Sequence, residues 1–137
     1  GYNFKFTDIQ AVIGLEQMKK LDYRVARKKE IYNKYENNLK NIKQVKFFEQ
    51  DLINTTPWFI DVIVDDRRGL IDYLRKKNIG TRVMYPPINE QIAYKRKGHY
   101  PISRMIGNKG LWLPSASQLK DSEIDYVTNL IGDFYSN

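Results

Sequence analysis

Two groups of side chains in this sequence have the types and spacing to form a site. Asn3 and Lys5 stand just before Thr7, which is followed three residues later by Gln10. That spacing has the form of a capping box, in which the hydroxyl accepts from an early helical amide and the glutamine side chain reaches back. A helix beginning at Thr7 or Asp8 turns its orphan amides and the positive end of its dipole toward Asn3 and Lys5, which suits a phosphate. The same residues also fit a plainer reading, with Asn3 turning the chain and Lys5 a solvated charge. The second group is Arg82, Tyr85 and Pro86-Pro87. A strand end followed by a rigid loop presents one guanidinium and one phenol at fixed positions. Its plainer alternative is a packed Tyr85 and an Arg82 paired with an acid.

Other chemistries find less to build on. A metal site needs clustered ligands, and the chain has one histidine, His99, and no cysteine, so His99 reads as an ordinary surface or partly buried residue. A serine triad has no nucleophile motif to support it. Gly107-Asn108-Lys109-Gly110 is too short for a P-loop and reads as a turn. The basic group Lys95-Arg96-Lys97 with Tyr94 and Tyr100 could give phosphate contacts and a stacking surface. Together with the net charge of +7, it defines a rival reading as a basic, non-catalytic nucleic-acid-binding domain. Much of that charge is spread over helical faces and offset by Glu16, Asp22, Glu30 and Glu36. No apolar run approaches the roughly 18–20 residues of a membrane helix, and no signal-peptide pattern appears. A cytoplasmic chain without disulfides is expected.

The elements that position these groups follow from periodicity. Ile9, Val12, Ile13, Met18, Leu21, Val25, Tyr32, Tyr35 and Leu39 recur mostly at three- and four-residue steps, predicting one uninterrupted helix from Thr7 to about Leu39. Such a helix would approach roughly 50 Å, longer than a small core covers on one side, so part of it is expected to pack on something outside this chain. Gln44 to Phe48 reads as an edge strand and Pro57 to Val64 as a central strand with Trp58, Ile60, Val62 and Val64 on one face. Asp65-Asp66 start a helix through Leu70, Ile71 and Leu74 that Gly80 closes. Thr81 to Tyr85 is a strand stopped by the prolines. A longer excursion to Gly110 has room for short helices near Ile102–Ile106. Leu111-Trp112-Leu113 is a short strand, and a last helix starting near Asp121 carries Ile124, Val127, Leu130, Ile131 and Phe134. The expected class is α/β, with three or four strands and helices on one face.

The stretch Gly1-Tyr2-Asn3-Phe4-Lys5-Phe6-Thr7-Asp8-Ile9-Gln10-Ala11-Val12-Ile13-Gly14 closely resembles a motif of the DegT/DnrJ/EryC1/StrS family of pyridoxal-phosphate-dependent sugar aminotransferases. Gln17, Lys20-Leu21-Asp22, Arg27 to Ile31, Ile79-Gly80-Thr81 and Leu111-Trp112-Leu113-Pro114-Ser115 continue the likeness over essentially the whole chain. The resemblance implies the C-terminal portion of a fold-type-I enzyme. Residues 1–40 would be a cofactor-phosphate loop and connecting helix, and residues 41–137 a small domain, with the large lysine-bearing domain absent. A start at Gly1 inside the motif points the same way. The resemblance further implies that Asn3 reaches into a neighbouring subunit to the phosphate of pyridoxal 5'-phosphate, with Lys5 close by, and that Tyr2, Arg82 and Tyr85 serve the substrate. Many members carry a histidine before the aromatic residue of this turn and another four residues after it, and here Met84 and Asn89 stand there. That pattern is similar to the branch that aminates nucleotide-linked 4-keto-6-deoxy sugars of the perosamine kind. The implied enzyme is a homodimer taking its amino group from glutamate for polysaccharide biosynthesis, and this piece alone should not transaminate. A scaffolding remnant that pairs with an intact enzyme is the other alternative.

Overall fold

The computed structural model describes residues 5–94 and 98–136. In chain order the elements are α1 (Asp8–Met18), α2 (Leu21–Leu39), β1 (Val45–Phe47), β2 (Ile60–Val64), α3 (Arg67–Lys76), β3 (Arg82–Val83), a 3-10 turn (Ile88–Glu90), α4 (Pro101–Lys109), β4 (Gly110–Leu113) and α5 (Asp121–Ser136). The single N-terminal helix read from periodicity is thus two. Neither proline nor glycine stands at the break. Lys20 leaves helical space at φ −102° and ψ 2°, and its N–H reaches back only to the Gln17 carbonyl, at 3.1 Å. Packing sets the direction of α2, because Ile31, Tyr32, Tyr35 and Leu39 are all buried, whereas α1 buries nothing. With no buried residue in α1, the core does not oblige it to continue the same axis.

The four strands lie in the order β1-β2-β4-β3, and every neighbouring pair is antiparallel. It follows that β2 and β3 run in the same direction with β4 inserted between them, so the β2-α3-β3 crossover is a split βαβ unit. Alternation decides the faces. Ile60, Val62 and Val64 are buried while Asp61 and Ile63 between them are not, as a strand with one covered side requires. On the covered side α2, α3 and α5 pack their apolar stripes, with Leu70, Leu74, Leu111, Ile124 and Ile131 all 0–1% exposed. Each such side chain contributes roughly 1.5–3 kcal/mol relative to exposure. Across the α2–α5 seam Asn38 donates to Asp125 at 2.9 Å and to Thr128 at 3.0 Å, and Lys34 pairs with Asp125 at 2.7 Å.

Three further expectations are corrected. Trp58 does not join the buried face of β2, for the ladder to β4 begins at the Ile60↔Leu113 pair and Trp58, outside it, is 80% exposed. The helix α3 is closed by Asn78, not by Gly80. Asn78 adopts φ 61°, its N–H bonds to the Arg75 carbonyl at 3.0 Å and that of Ile79 to the Leu74 carbonyl at 2.9 Å, which is a Schellman motif. Asparagine tolerates that left-handed conformation better than most residues. Gly107-Asn108-Lys109 is the last turn of α4 rather than a free turn, and Gly110 opens β4. A Cβ on Gly107 would stand 2.7 Å from Cδ of Pro87, so the proline loop and α4 approach as closely as they do because that residue is glycine.

Candidate functional site

The side of the sheet opposite the helical layer gathers a cation, a carboxylate and aromatic rings. Register pairs Asp61 with Trp112 and Arg82 with Trp112, and residues opposite each other in a ladder share a face. Trp112 alternates with buried Leu111 and Leu113, so it necessarily points to this outer side. Its indole Nε1 donates to Asp61 Oδ1 at 2.5 Å. Phe59 stacks on it with ring centroids 4.5 Å apart and planes 19° from parallel. The Arg82 guanidinium carbon lies 5.3 Å from the Trp112 centroid and 5.3 Å from that of Tyr85. Arg82 Nη2 donates to the Tyr85 hydroxyl at 2.6 Å, and Tyr85 presents its ring edge-on to Trp112 at 5.3 Å. Aromatic pairs and cation–π contacts of this kind each contribute about 0.5–1.5 kcal/mol. The result is a cation with its orientation fixed, beside a shallow groove of about 260 Å³ lined by Phe59, Thr81, Arg82, Trp112 and Pro114.

A second depression of about 550 Å³ lies between α2 and the segments entering β2 and leaving β4, lined by Leu21, Arg24, Lys28, Pro57, Trp58 and Gln118. Lys28 donates to the carbonyls of Trp58 at 2.6 Å and Ser115 at 2.7 Å. Burial pushes its ammonium below the usual lysine range, with Asp61 acting in the opposite sense. Held by two carbonyls, it tethers both segments to α2.

At the head of α1 the capping box is formed. The Thr7 N–H donates to Gln10 Oε1 at 2.9 Å and the Gln10 N–H to Thr7 Oγ1 at 3.3 Å. Two of the four orphan amides are therefore satisfied within the chain, and helical geometry leaves those of Asp8 and Ile9 without a carbonyl acceptor. Lys5 is exposed at this end. Tyr2 and Asn3 lie outside the described residues, as does the basic group Lys95-Arg96-Lys97.

Of the residues singled out by sequence, the structure joins Arg82 to Tyr85. Sequence reasoning did not single out Phe59, Asp61 and Trp112 as site residues. The signal for two of them was the alternation of β2 and β4, which puts Asp61 and Trp112 opposite the buried positions, but nothing in the chain states that the two strands are neighbours. Among the described residues no group of three or more histidine, cysteine, aspartate or glutamate side chains could hold a metal ion. The arrangement is an oriented guanidinium and a phenol on an aromatic bed, a chemistry suited to an anionic or hydroxyl-rich group.

Comparison with known proteins agrees with this architecture. A family model for DegT/DnrJ/EryC1/StrS aminotransferases matches residues 1–132. The GDP-perosamine synthase of Escherichia coli O157:H7 is 32% identical over 141 residues, covering 100% of this chain and 38% of that enzyme. The crystal structure of a DegT DnrJ EryC1 StrS aminotransferase from Brucella abortus superposes with a TM-score of 0.84 at 27% identity, over 94% of this chain and 36% of its own. DesV of S. venezuelae, at 20% identity and a TM-score of 0.87 over 100% of this chain and 38% of its own, has the same fold. The chain thus spans little more than a third of the length of these relatives. It belongs to the DegT/DnrJ/EryC1/StrS aminotransferase family.

Proposed function

We propose that this chain is the small C-terminal part of a sugar aminotransferase that moves an amino group from glutamate to the keto carbon of a nucleotide-linked 4-keto-6-deoxy sugar. The likeness to GDP-perosamine synthase along the entire chain carries the reading. Residues 1–40 form the cofactor-phosphate loop and connecting helices, residues 41–137 the small domain. The upstream remainder is a large domain that covers α1 and the residue Phe6 before it, where Phe6, Ile9, Val12, Ile13, Leu15 and Met18 are 57–76% exposed. An exposed apolar surface of that extent is expected to be covered in the whole protein. The assembly is a cytoplasmic homodimer working in polysaccharide biosynthesis; no helix among the described residues is long and apolar enough to cross a membrane.

Aminotransferases of this family use pyridoxal phosphate, which when bound supplies an electron sink for the carbon that exchanges its amino group. The open head of α1 fits the phosphate end of that group, where the amides of Asp8 and Ile9, with Lys5 and Asn3, would hold it. The lysine for the reactive end is assigned in this reading to the large domain; Lys28 is tied down by two carbonyls. On this reading residues 1–137 by themselves do not transaminate. Tyr2, Arg82 and Tyr85 bind the sugar substrate. The test is amino transfer from glutamate to a nucleotide-linked 4-keto-6-deoxy sugar, with added pyridoxal phosphate, by the product of the whole gene and by residues 1–137. Transfer by the first alone is expected. Transfer by residues 1–137 would overturn the fragment reading, and transfer by neither would overturn the aminotransferase reading.

A further inference from the structure

Arg82 differs from several other arginines in what it holds. Arg27 pairs with Glu30 and Asp121, Arg75 with Asp72 and Arg104 with Glu90, and Arg67 donates to the carbonyls of Gly107 and Gly110. No carboxylate among the described residues pairs with Arg82. The acid of its own cluster, Asp61, is engaged by Trp112 Nε1. A guanidinium has five N–H donors, and the bond to Tyr85 uses one. Because the Tyr85 hydroxyl accepts that bond, its own proton remains to be donated outward. Arg82, which lines the groove, and Tyr85 together therefore offer a planar fork of N–H groups and one O–H, already oriented.

We propose that Arg82 and Tyr85 form an oxyanion site of the substrate pocket, and that Trp112 is the positioning residue that holds the guanidinium in place. The proposal rests on the substrate role given above to Arg82 and Tyr85 and adds the chemical group they take: the diphosphate of the sugar nucleotide or the carboxylate of the amino donor, both of which a guanidinium fork binds bidentately. Trp112 is engaged by Phe59 and by Arg82, so it orients the cation rather than stacking on a ligand ring. Asp61 locks the indole through Nε1, and Phe59 backs it.

Trp58 and Trp112 are the two tryptophans of the chain, so Trp58→Phe, at an exposed position, leaves Trp112 as the sole indole beside the site. In that background, with ionic strength held constant, the indole emission is titrated with inorganic pyrophosphate and separately with glutamate. A saturable change is expected with the anion that the site takes, which identifies the source. In Arg82→Met it should weaken at least about tenfold, and in Arg82→Lys, which keeps the charge but not the fork, by an intermediate factor. Trp112→Leu, followed calorimetrically, should weaken binding about threefold to tenfold, with Trp112→Phe restoring most of it. Circular dichroism checks that each variant is folded. No saturable binding to the parent chain, or equal affinity in parent and Arg82→Met, overturns the proposal. Binding that survives while the product of the whole gene carries out no amino transfer would keep the oxyanion site and refute the aminotransferase reading, so the two failures are distinguishable.

Discussion

Single side chains set several balances that can be measured. Tyr35 is 0% exposed, and its hydroxyl is a buried polar atom with no hydrogen-bond partner among the described residues. Burial pushes its pKa upward. An unpaired buried hydroxyl costs roughly 1–3 kcal/mol, so Tyr35→Phe should stabilise the chain by about 1 kcal/mol in urea unfolding; a loss of stability would mean that the hydroxyl is satisfied. Asp125 poses the opposite case. The Lys34 ammonium, then the Asn38 amide, hold its carboxyl below the ordinary value of 3.8. A depressed folded-state pKa stabilises at pH above the unfolded value and ceases to do so as pH falls through the folded one. Denaturation midpoints of wild type and Asp125→Asn, separated at neutral pH, should therefore converge in acid. A separation that persists unchanged in acid would assign the difference to packing between α2 and α5 instead of charge.

At the scale of elements, the end of α3 and the head of α1 carry the sharpest expectations. Asn78 holds the left-handed position that lets the chain leave α3 and enter β3 with Arg82 on the outer face. Asn78→Ala should cost about 1 kcal/mol and Asn78→Gly should be neutral or better; equal effects of the two would remove the strain argument. The isolated helix α1 has 11 residues and none of them is buried. Helices of that length are marginal in water without packing. Its amides should exchange with solvent far faster than those of α2 in residues 1–137, and slow markedly in the product of the whole gene. Equal protection of α1 and α2 in the short chain would show that α1 needs no covering domain.

The molecule as a whole is a layer of helices on one side of a four-stranded sheet, with a cation and aromatic rings on the other. Much of this was legible from the chain. The capping box at Thr7, the amphipathic α5 and the Asp66 cap that starts α3 are local patterns, each decided within one or two turns of backbone, and they appear where the residues put them. The alternation of Ile60, Val62 and Val64 stated which side of β2 is covered. The motif at Gly1–Gly14 and its continuation pointed to the family that comparison over residues 1–132 establishes.

Tertiary packing decided the rest. The break at Lys19-Lys20 has no local breaker, and it arises because the core fixes the axis of α2 and exerts no hold on α1. The strand order places β4 between β2 and β3, which brings Trp112 against Asp61, 51 positions away, and against Arg82, 30 positions away. Arg82 and Tyr85 were visible as an isolated pair of polar groups beside two prolines. That they stand over Trp112 is a fact of register, and register depends on which strands find each other when the apolar faces close, a property that no window of sequence contains.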